Sequence, residues 1–141
     1  MKISDILRYK GANVLTIEPD TTVHQLLGAL AEHNVGALVV TAGSRVVGIV
    51  SERDIVRKLH ELGDGVLTST VERIMTTSVI SCGSSDSLEK IAATMTELRI
   101  RHMPVLDSGQ LAGIVTIGDV VLSRTRQLEH DRDQLEQYIT G

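Results

Sequence analysis

The chain has 141 residues, a formal net charge of −4, two tyrosines, no phenylalanine or tryptophan, and one cysteine. An acidic balance without stacking aromatics argues against a nucleic-acid partner. A single cysteine excludes an internal disulfide and any multi-thiolate metal site, and it fits a reducing compartment. No apolar run approaches membrane-spanning length, so we expect a soluble, cytoplasmic protein with an aliphatic core.

The first half of the chain alternates between helical and strand periodicity. Gly11 ends a short first helix, and Thr21 or Thr22 caps the second helix. A nearly all-apolar strand at 37–41 is expected to be buried on both faces. The predicted segments are helix 3–10, strand 14–17, a helix from 21 or 22 to about 34, strand 37–41, strand 45–50 and helix 51–62.

After Gly63 the same order of elements starts again. Residues 71–75 echo residues 3–7, and Ser87 caps another helix. The predicted segments of this half are strand 79–81, the helix that follows Ser87, strand 102–106, strand 111–115 and a long helix at 117–139.

The two halves are an internal repeat. Residues 14–56 align with residues 79–121 without a gap, and apolar positions and turns coincide. Each repeat is read as βαββα, and neither is long enough to bury a full core alone. We therefore expect the repeats to pack together with pseudo-twofold symmetry. The predicted domains are repeat 1 with the N-terminal helix at 1–62, a connector at 63–70, repeat 2 at 71–123 and a helical extension at 124–141.

The last strand-to-helix junction of each repeat carries one motif. Ser51 and Thr116 fall where the helix begins, and Asp54 and Asp119 follow within the first turn. One interpretation is a capping box, in which the hydroxyl and the carboxylate satisfy helix amides. The other is a ligand site, because a helix N-terminus attracts phosphate and an acid there can accept both hydroxyls of a ribose. Two copies at equivalent positions favour the ligand.

Two βαββα units that each end in Gly-hydrophobic-hydrophobic-[Ser/Thr]-x-x-Asp resemble a tandem pair of CBS domains, or Bateman module. Further matches are Val-Glu-Arg-Ile-Met-Thr at 71–76 and Arg-His-Met-Pro-Val-Leu-Asp at 101–107. The resemblance covers essentially the whole chain, which is similar to stand-alone bacterial CBS proteins. It implies an α/β (α+β) fold of two repeats followed by a long C-terminal helix.

In that family the repeats form two clefts that bind AMP, ADP, ATP, NAD(H) or S-adenosylmethionine. The resemblance implies that Asp54 and Asp119 hold ribose hydroxyls and that Ser51 and Thr116 contact ribose or phosphate. Adenine would lie between apolar strand residues. The residues implied to line the clefts, within 35–37, 100–104 and the first strands, include Gly36, Ala37, Arg101, His102, Met103, Pro104, Thr16, Ile17, Ser81 and Cys82.

The two sites are expected to differ in charge. Arg53 at the first junction is a forked phosphate donor, whereas Gly118 at the same place in the second leaves the backbone open. Arg101 and His102 add positive charge in repeat 2, where repeat 1 has small residues. We therefore expect one cleft to bind more tightly. The alternatives are a solvated Arg53, a hydrogen-bonded strand histidine, and an Arg101 paired with a neighbouring acid.

The last helix runs well past the end of the repeat. Val121, Leu128 and Leu135 recur at heptad spacing on a charged helix, and Ile139 extends the stripe. Either the helix is mainly solvated and packs on its own repeat, or it contributes to a homodimer, since CBS pairs commonly form disc-like dimers. Two heptads are too few to predict a coiled coil.

The favoured function is regulatory. The module would bind an adenine nucleotide as a ligand, not as a catalytic cofactor, and would report energy or redox state by a change of shape or assembly. The alternative is a structural or interaction protein with empty clefts, in which both aspartates are only caps. An enzyme is disfavoured because the sequence contains no Walker A, G-x-S-x-G or H-E-x-x-H motif and no metal-ligand spacing.

Overall fold

The computed structural model of the chain describes residues 1–140, so Gly141 of the predicted extension 124–141 lies outside the described residues. The predicted helices are all present within that range, and a short additional helix follows the connector. The elements are α1 (Ile3–Lys10), β1 (Thr16–Ile17), α2 (Val23–His33), β2 (Ala37–Ala42), β3 (Arg45–Ser51), α3 (Glu52–Leu62), α4 (Val71–Ile74), α5 (Leu88–Leu98), β4 (His102–Asp107), β5 (Gln110–Thr116) and α6 (Ile117–Thr140).

Repeat 1 has the predicted βαββα order. Its sheet has the strand order β1-β2-β3, with β1 parallel and β3 antiparallel to the central strand β2. The first four residues of β2 are buried, as predicted for an apolar strand covered on both faces. The hydroxyl of Thr22 caps α2 by accepting from the Gln25 amide, and Asn34 ends the helix in the left-handed conformation that asparagine tolerates.

The predicted strand 79–81 is wrong. The first strand of repeat 2 is reduced to a parallel bridge between Cys82 and Val105. The Cys82 amide donates to the Pro104 carbonyl (3.0 Å), and the Leu106 amide donates to the Cys82 carbonyl (2.8 Å). Extending this ladder would need an amide donor at position 104, and a proline nitrogen carries no hydrogen. The aligned pairing in repeat 1 has valine there and continues for a second residue pair.

The two compact units of the structure do not coincide with the two sequence repeats. The helix that precedes each repeat in sequence belongs to the unit that contains the other repeat, and we call this arrangement the exchange of segments. Unit 1 comprises residues 1–12, residues 81–107 and the described chain from Ala112 onward, and unit 2 comprises residues 13–80 and 108–111. Helix α1 therefore packs with the second repeat, and α4 packs with the first. The predicted domain boundaries divide the chain by its sequence repeats, whereas the compact units divide it by packing. The boundaries of the repeats therefore stay a prediction.

Equivalent backbone hydrogen bonds attach α1 and α4 to their units. The Ile3 amide donates to the Asp86 carbonyl in unit 1 (2.9 Å), and the Val71 amide donates to the Thr21 carbonyl in unit 2 (2.8 Å). These bonds satisfy amides that a helix start leaves without an intrahelical partner. Further pairs of the same kind are Ser4 with Ser84, Leu88 with Met1, Glu72 with Pro19, and Val23 with Ser69.

Each unit has its own aliphatic core, as the composition predicts. In unit 1 the core includes Ile3 of α1, and in unit 2 it includes Val71 of α4; neither side chain is exposed. The predicted connector is also structured, because Asp64–Thr68 forms a 3-10 helix and places Val66 in the core of unit 2. The exchanged segments therefore stabilise the units on which they pack.

Helix α6 is mostly exposed. Val120 is its buried residue, and every residue from 128 to 140 is exposed. The exposed fraction is 58% for Val121 and 63% for both Leu128 and Leu135. No helix within residues 1–140 is long and apolar enough to cross a membrane.

Candidate functional site

In unit 2, strand β3 runs directly into α3 at a half-buried junction. The Ser51 hydroxyl accepts from the Asp54 amide (3.3 Å). The Oδ2 atom of Asp54 accepts from the Ser51 amide (2.9 Å) and from the Ser51 hydroxyl (3.1 Å). The capping box is therefore formed. The same bonds fix the Asp54 carboxylate at the helix N-terminus, so capping and ligand binding are compatible roles for this motif.

A second element reaches the Asp54 carboxylate from outside the motif. The Thr76 hydroxyl, just after α4, donates to Asp54 Oδ1 (3.2 Å). The Thr76 backbone pairs with Ile49 of β3 through bonds of 3.0 and 2.8 Å, which hold it beside the junction. The donors from Ser51 and Thr76 are uncharged. Because a carboxylate offers about four acceptor positions, Asp54 keeps capacity for a further hydroxyl.

In unit 1, the junction of β5 and α6 repeats this arrangement with a charged partner. The Thr116 hydroxyl accepts from the Asp119 amide (3.1 Å), and Asp119 Oδ2 accepts from the Thr116 amide (2.9 Å). The Lys10 ammonium at the end of α1 donates to Asp119 Oδ2 (2.6 Å) and to the Ile114 carbonyl (2.9 Å). Both side chains of this ion pair are largely covered, with 29% of Lys10 and 23% of Asp119 exposed.

The ion pair sets the charge of the unit 1 junction. Partial burial raises the pKa of Asp119, but hydrogen bonds from the Lys10 ammonium and the Thr116 amide, with the charge of Lys10, outweigh that effect. The pKa of Asp119 therefore lies below its ordinary value. At neutral pH this junction holds an ionised carboxylate already paired with a cation.

The starts of the second strands lie next to these helix N-termini. The Gly36 carbonyl accepts from the Glu52 amide in unit 2, and the Arg101 carbonyl accepts from the Ile117 amide in unit 1, both at 2.9 Å. Ala37 pairs directly with Ser51 in the sheet. The backbone of the predicted lining segments is thus beside the motif of its own unit.

A family model described as the CBS domain matches residues 3–61 and 71–124. The chain belongs to the CBS-domain family. It is 33% identical over 148 aligned residues to the mitochondrial CBS domain-containing protein CBSX3 of Arabidopsis thaliana, covering 99% of this chain and 72% of that protein.

Solved structures of CBS proteins have the same fold. The CBS-domain containing protein ATU1752 of Agrobacterium tumefaciens matches with a TM-score of 0.85 and 39% identity, over 88% of this chain and 99% of that one. The CBS domain pair of protein MJ0100, in complex with 5′-methylthioadenosine and S-adenosyl-L-methionine, matches with a TM-score of 0.79 and 25% identity, over 90% and 98% of the two chains.

The remaining predicted contact residues of the CBS repeats lie in different environments. Thr16 is exposed and Ile17 half-buried on β1, and Ser81 is exposed beside the bridge at Cys82. Arg53 and Arg101 are exposed, and His102 is half-buried. The side chain of Met103 is fully buried in the core of unit 1, and Pro104 is buried as well. The roles of all these residues in ligand binding stay predictions.

The environment of Cys82 favours the neutral thiol. Its side chain lies in the core of CBS unit 1 and is 6% exposed. Burial, followed by the negative charges of Asp86 and Asp107, raises the pKa of the thiol to about 11. A thiol is nucleophilic only as the thiolate, so Cys82 is a structural residue at neutral pH.

Sequence reasoning missed the two donors that reach the motif carboxylates. Thr76 belongs to the quoted segment 71–76, whose echo of residues 3–7 was a signal that both segments take equivalent positions. The similarity between the two segments ends before Lys10, so it does not predict that a lysine reaches Asp119. The exchange of α1 and α4 between the CBS repeats brings both donors to the junctions.

Proposed function

We propose that this CBS protein is a regulatory module that binds an adenosine-containing ligand at the Asp54 and Asp119 junctions. Each carboxylate would accept ribose hydroxyls, and each helix N-terminus would face a phosphate or another group on the ribose. Ligand binding would change the conformation or the assembly of the chain. The complex of the MJ0100 pair with two adenosyl compounds supports an adenosine ligand.

The observation that carries the proposal is the use of an aspartate at both junctions with an added donor from another segment. Similar caps occur at the start of α1, where Asp5 accepts from the Lys2 amide (2.9 Å), and at the start of α2, where Gln25 accepts from the Thr22 amide (3.1 Å). An aspartate in a helix cap is therefore not by itself evidence for a ligand. Asp54 and Asp119 differ from these caps in their equivalent places in the two repeats and in the donor that each receives from another segment, Thr76 or Lys10, and ribose binding would explain both features.

The same positions favour a phosphorylated adenosine ligand such as AMP, ATP or NAD(H). Backbone amides at the starts of α3 and α6 are natural phosphate donors. Arg53 on the first turn of α3 adds a guanidinium suited to phosphate. The further proposed contacts are Ser51, Thr116, Gly36, Ala37, Arg101, His102, Met103, Pro104, Thr16, Ile17 and Ser81.

A regulatory rather than a catalytic role is supported by the match of the CBS family model to both repeats. Cys82 is buried as a neutral thiol, and each motif carboxylate is engaged in a cap. Within residues 1–140 no group of three or more His, Cys, Asp or Glu side chains is arranged to hold a metal ion.

Asparagine at position 54 or 119 is expected to weaken nucleotide binding by about 10- to 100-fold at the altered site, the range of a lost charged hydrogen bond. Calorimetry and thermal shift against AMP, ADP, ATP, NAD⁺, NADH, S-adenosylmethionine and 5′-methylthioadenosine would measure this. A ligand at about 100 times its dissociation constant should stabilise the wild-type protein by about 2.7 kcal/mol.

Gln25→Met is the matched control, because it removes the side-chain bond of a capping box that has no acid. It should lower stability slightly and leave ligand affinity unchanged. If none of the adenosine compounds binds, or if both asparagine variants bind as well as the wild type, the aspartates are caps only.

We also propose that α6 pairs with α6 of a second copy in a homodimer. Its exposed stripe of Val121, Leu128 and Leu135 lacks cover within residues 1–140. The first half of the helix carries Arg124 and Arg126, whereas the second half is mainly acidic. An antiparallel pair would join opposite charges along the stripe, so a second copy is a complementary partner.

Leu128→Glu combined with Leu135→Glu is expected to convert the dimer to a monomer, because charges would enter the apolar contact. Sedimentation velocity would measure the mass in solution. Leu62→Glu is the matched control, since Leu62 at the end of α3 has the same exposed fraction of 63%. A wild-type monomer, or a dimer that survives the double change, would exclude α6 as the interface.

A further inference from the structure

Thr76 and Lys10 take the same place at aligned junctions. In unit 2 the Thr76 amide donates to the Ile49 carbonyl (2.8 Å), and its hydroxyl donates to Asp54 (3.2 Å). In the alignment of the repeats, Ile49 corresponds to Ile114 and Asp54 to Asp119. In unit 1, the Ile114 carbonyl and the Asp119 carboxylate both accept from one group, the ammonium of the residue that ends α1.

That ammonium belongs to Lys10, which bonds to the Ile114 carbonyl at 2.9 Å and to Asp119 Oδ2 at 2.6 Å. A neutral hydroxyl at one junction is therefore replaced by a cation at the other. The Lys10–Asp119 pair is neutral overall, whereas the Asp54 carboxylate is held by Ser51 and Thr76 without a charge from either.

The backbone of Lys10 is held in place by its neighbours. Leu7, one turn earlier, packs where a side chain on Gly113 would otherwise lie, with its Cδ2 only 2.6 Å from an ideal Cβ at that glycine. The guanidinium of Arg126 on α6 lies 4.0 Å from the centre of the Tyr9 ring, in cation–π contact. The end of α1 is thus attached to the unit, and movement of the ammonium is left to the flexible lysine stem.

A ribose bound at Asp119 would lie beside this ammonium. The Thr116 amide and Lys10 both donate to Asp119 Oδ2, and a carboxylate offers about four acceptor positions, so Asp119 can accept a ribose hydroxyl while the ion pair stays. A phosphorylated compound would place a second anion near the ammonium, and a charged hydrogen bond to it would add to the affinity. A compound without a phosphate offers the ammonium no such anion. At Asp54 the corresponding donor is the Thr76 hydroxyl, which carries no charge to attract a phosphate.

We infer that Lys10 determines the specificity of the Asp119 site, selecting adenosine ligands that carry a phosphate over those that do not. Thr76 adds no cation to the Asp54 site, where Arg53 is the proposed phosphate contact. The inference rests on the proposed function, since it assumes that Asp119 binds ribose. It predicts that the preference of the Asp119 site for a phosphate depends on Lys10.

The test uses the full chain with Asp54→Asn, so that binding reports the Asp119 site, and the probes are AMP, adenosine and 5′-methylthioadenosine in calorimetry. AMP should bind more tightly than either phosphate-free probe. Lys10→Met, which keeps the length of the stem, should lower the ratio of AMP to adenosine affinity by about tenfold or more. Lys10→Arg should keep the preference for AMP.

The reciprocal variant is Thr76→Lys in the Asp119→Asn protein, which should raise the preference of the Asp54 site for AMP. Adding Asp119→Asn to the Asp54→Asn protein should abolish AMP binding, which shows that AMP binds at Asp119. If it does, and Lys10→Met leaves the ratio of AMP to adenosine affinity unchanged, Lys10 has no role in specificity. If that addition leaves AMP binding intact, or if no probe binds the Asp54→Asn protein, the proposed function fails at this site and the inference fails with it.

Discussion

Replacing Ile3 with alanine is expected to lower the free energy of unfolding by about 2–5 kcal/mol, the range for truncating a fully buried isoleucine. The loss should fall on unit 1, which contains the second repeat, although Ile3 precedes the first repeat in sequence. Its side chain is 0% exposed in the core of unit 1, and its amide bonds to the Asp86 carbonyl. Denaturant unfolding would measure the loss, and hydrogen exchange resolved by peptide would locate it.

Val71→Ala is the matched control, because Val71 occupies the same position on α4 in unit 2 and is also 0% exposed. Ile3→Ala should speed exchange mainly in residues 81–107 and 112–124. Val71→Ala should speed exchange mainly in residues 13–62. The reverse pattern would mean that each helix stabilises the repeat that follows it in sequence, and would refute the exchange of segments.

Gly48→Ala is expected to destabilise the protein by about 1–3 kcal/mol through overpacking of unit 2. An ideal Cβ at Gly48 would lie 2.7 Å from the Met75 sulfur and 3.0 Å from the Thr76 carbonyl oxygen. The sulfur belongs to a flexible side chain, but the carbonyl is backbone paired with β3, so Thr76 must shift. Since the Thr76 hydroxyl bonds to Asp54, ligand affinity at that junction should fall as well. Chemical denaturation and calorimetry measure the two effects.

Gly28→Ala is the control for this change, because it makes the same substitution within α2 where a Cβ would meet nothing within 4 Å. Alanine in place of a helical glycine should raise stability by about 0.5–1 kcal/mol. A Gly48 variant as stable as the wild type would show that the α4 segment can move away from β3 at little cost, and that Thr76 is not fixed by this contact.

The predicted elements agree with the structure where short-range patterns decide the outcome. The caps at Thr22 and Ser51 and the buried strand β2 depend on residues a few positions apart, so periodicity and cap chemistry are sufficient. The prediction for strand 79–81 failed because the residue pattern of one strand does not show which amides of the partner strand can donate hydrogen bonds to it. Pro104 removes a donor there, and this matters only once the pairing register is known.

The sequence by itself determined the two repeats, through the alignment of residues 14–56 with 79–121, and its motifs carried the resemblance to the CBS family that the family model confirms. It also determined the positions of Asp54 and Asp119 on the first turns of their helices, because cap motifs depend on local spacing. Only the tertiary structure decided which donors meet those carboxylates. Thr76 lies 22 residues from Asp54, and Lys10 lies 109 residues from Asp119. Contacts over such separations depend on which segments pack together, and here packing places α1 with the second repeat. The difference in charge between the two junctions follows from that exchange.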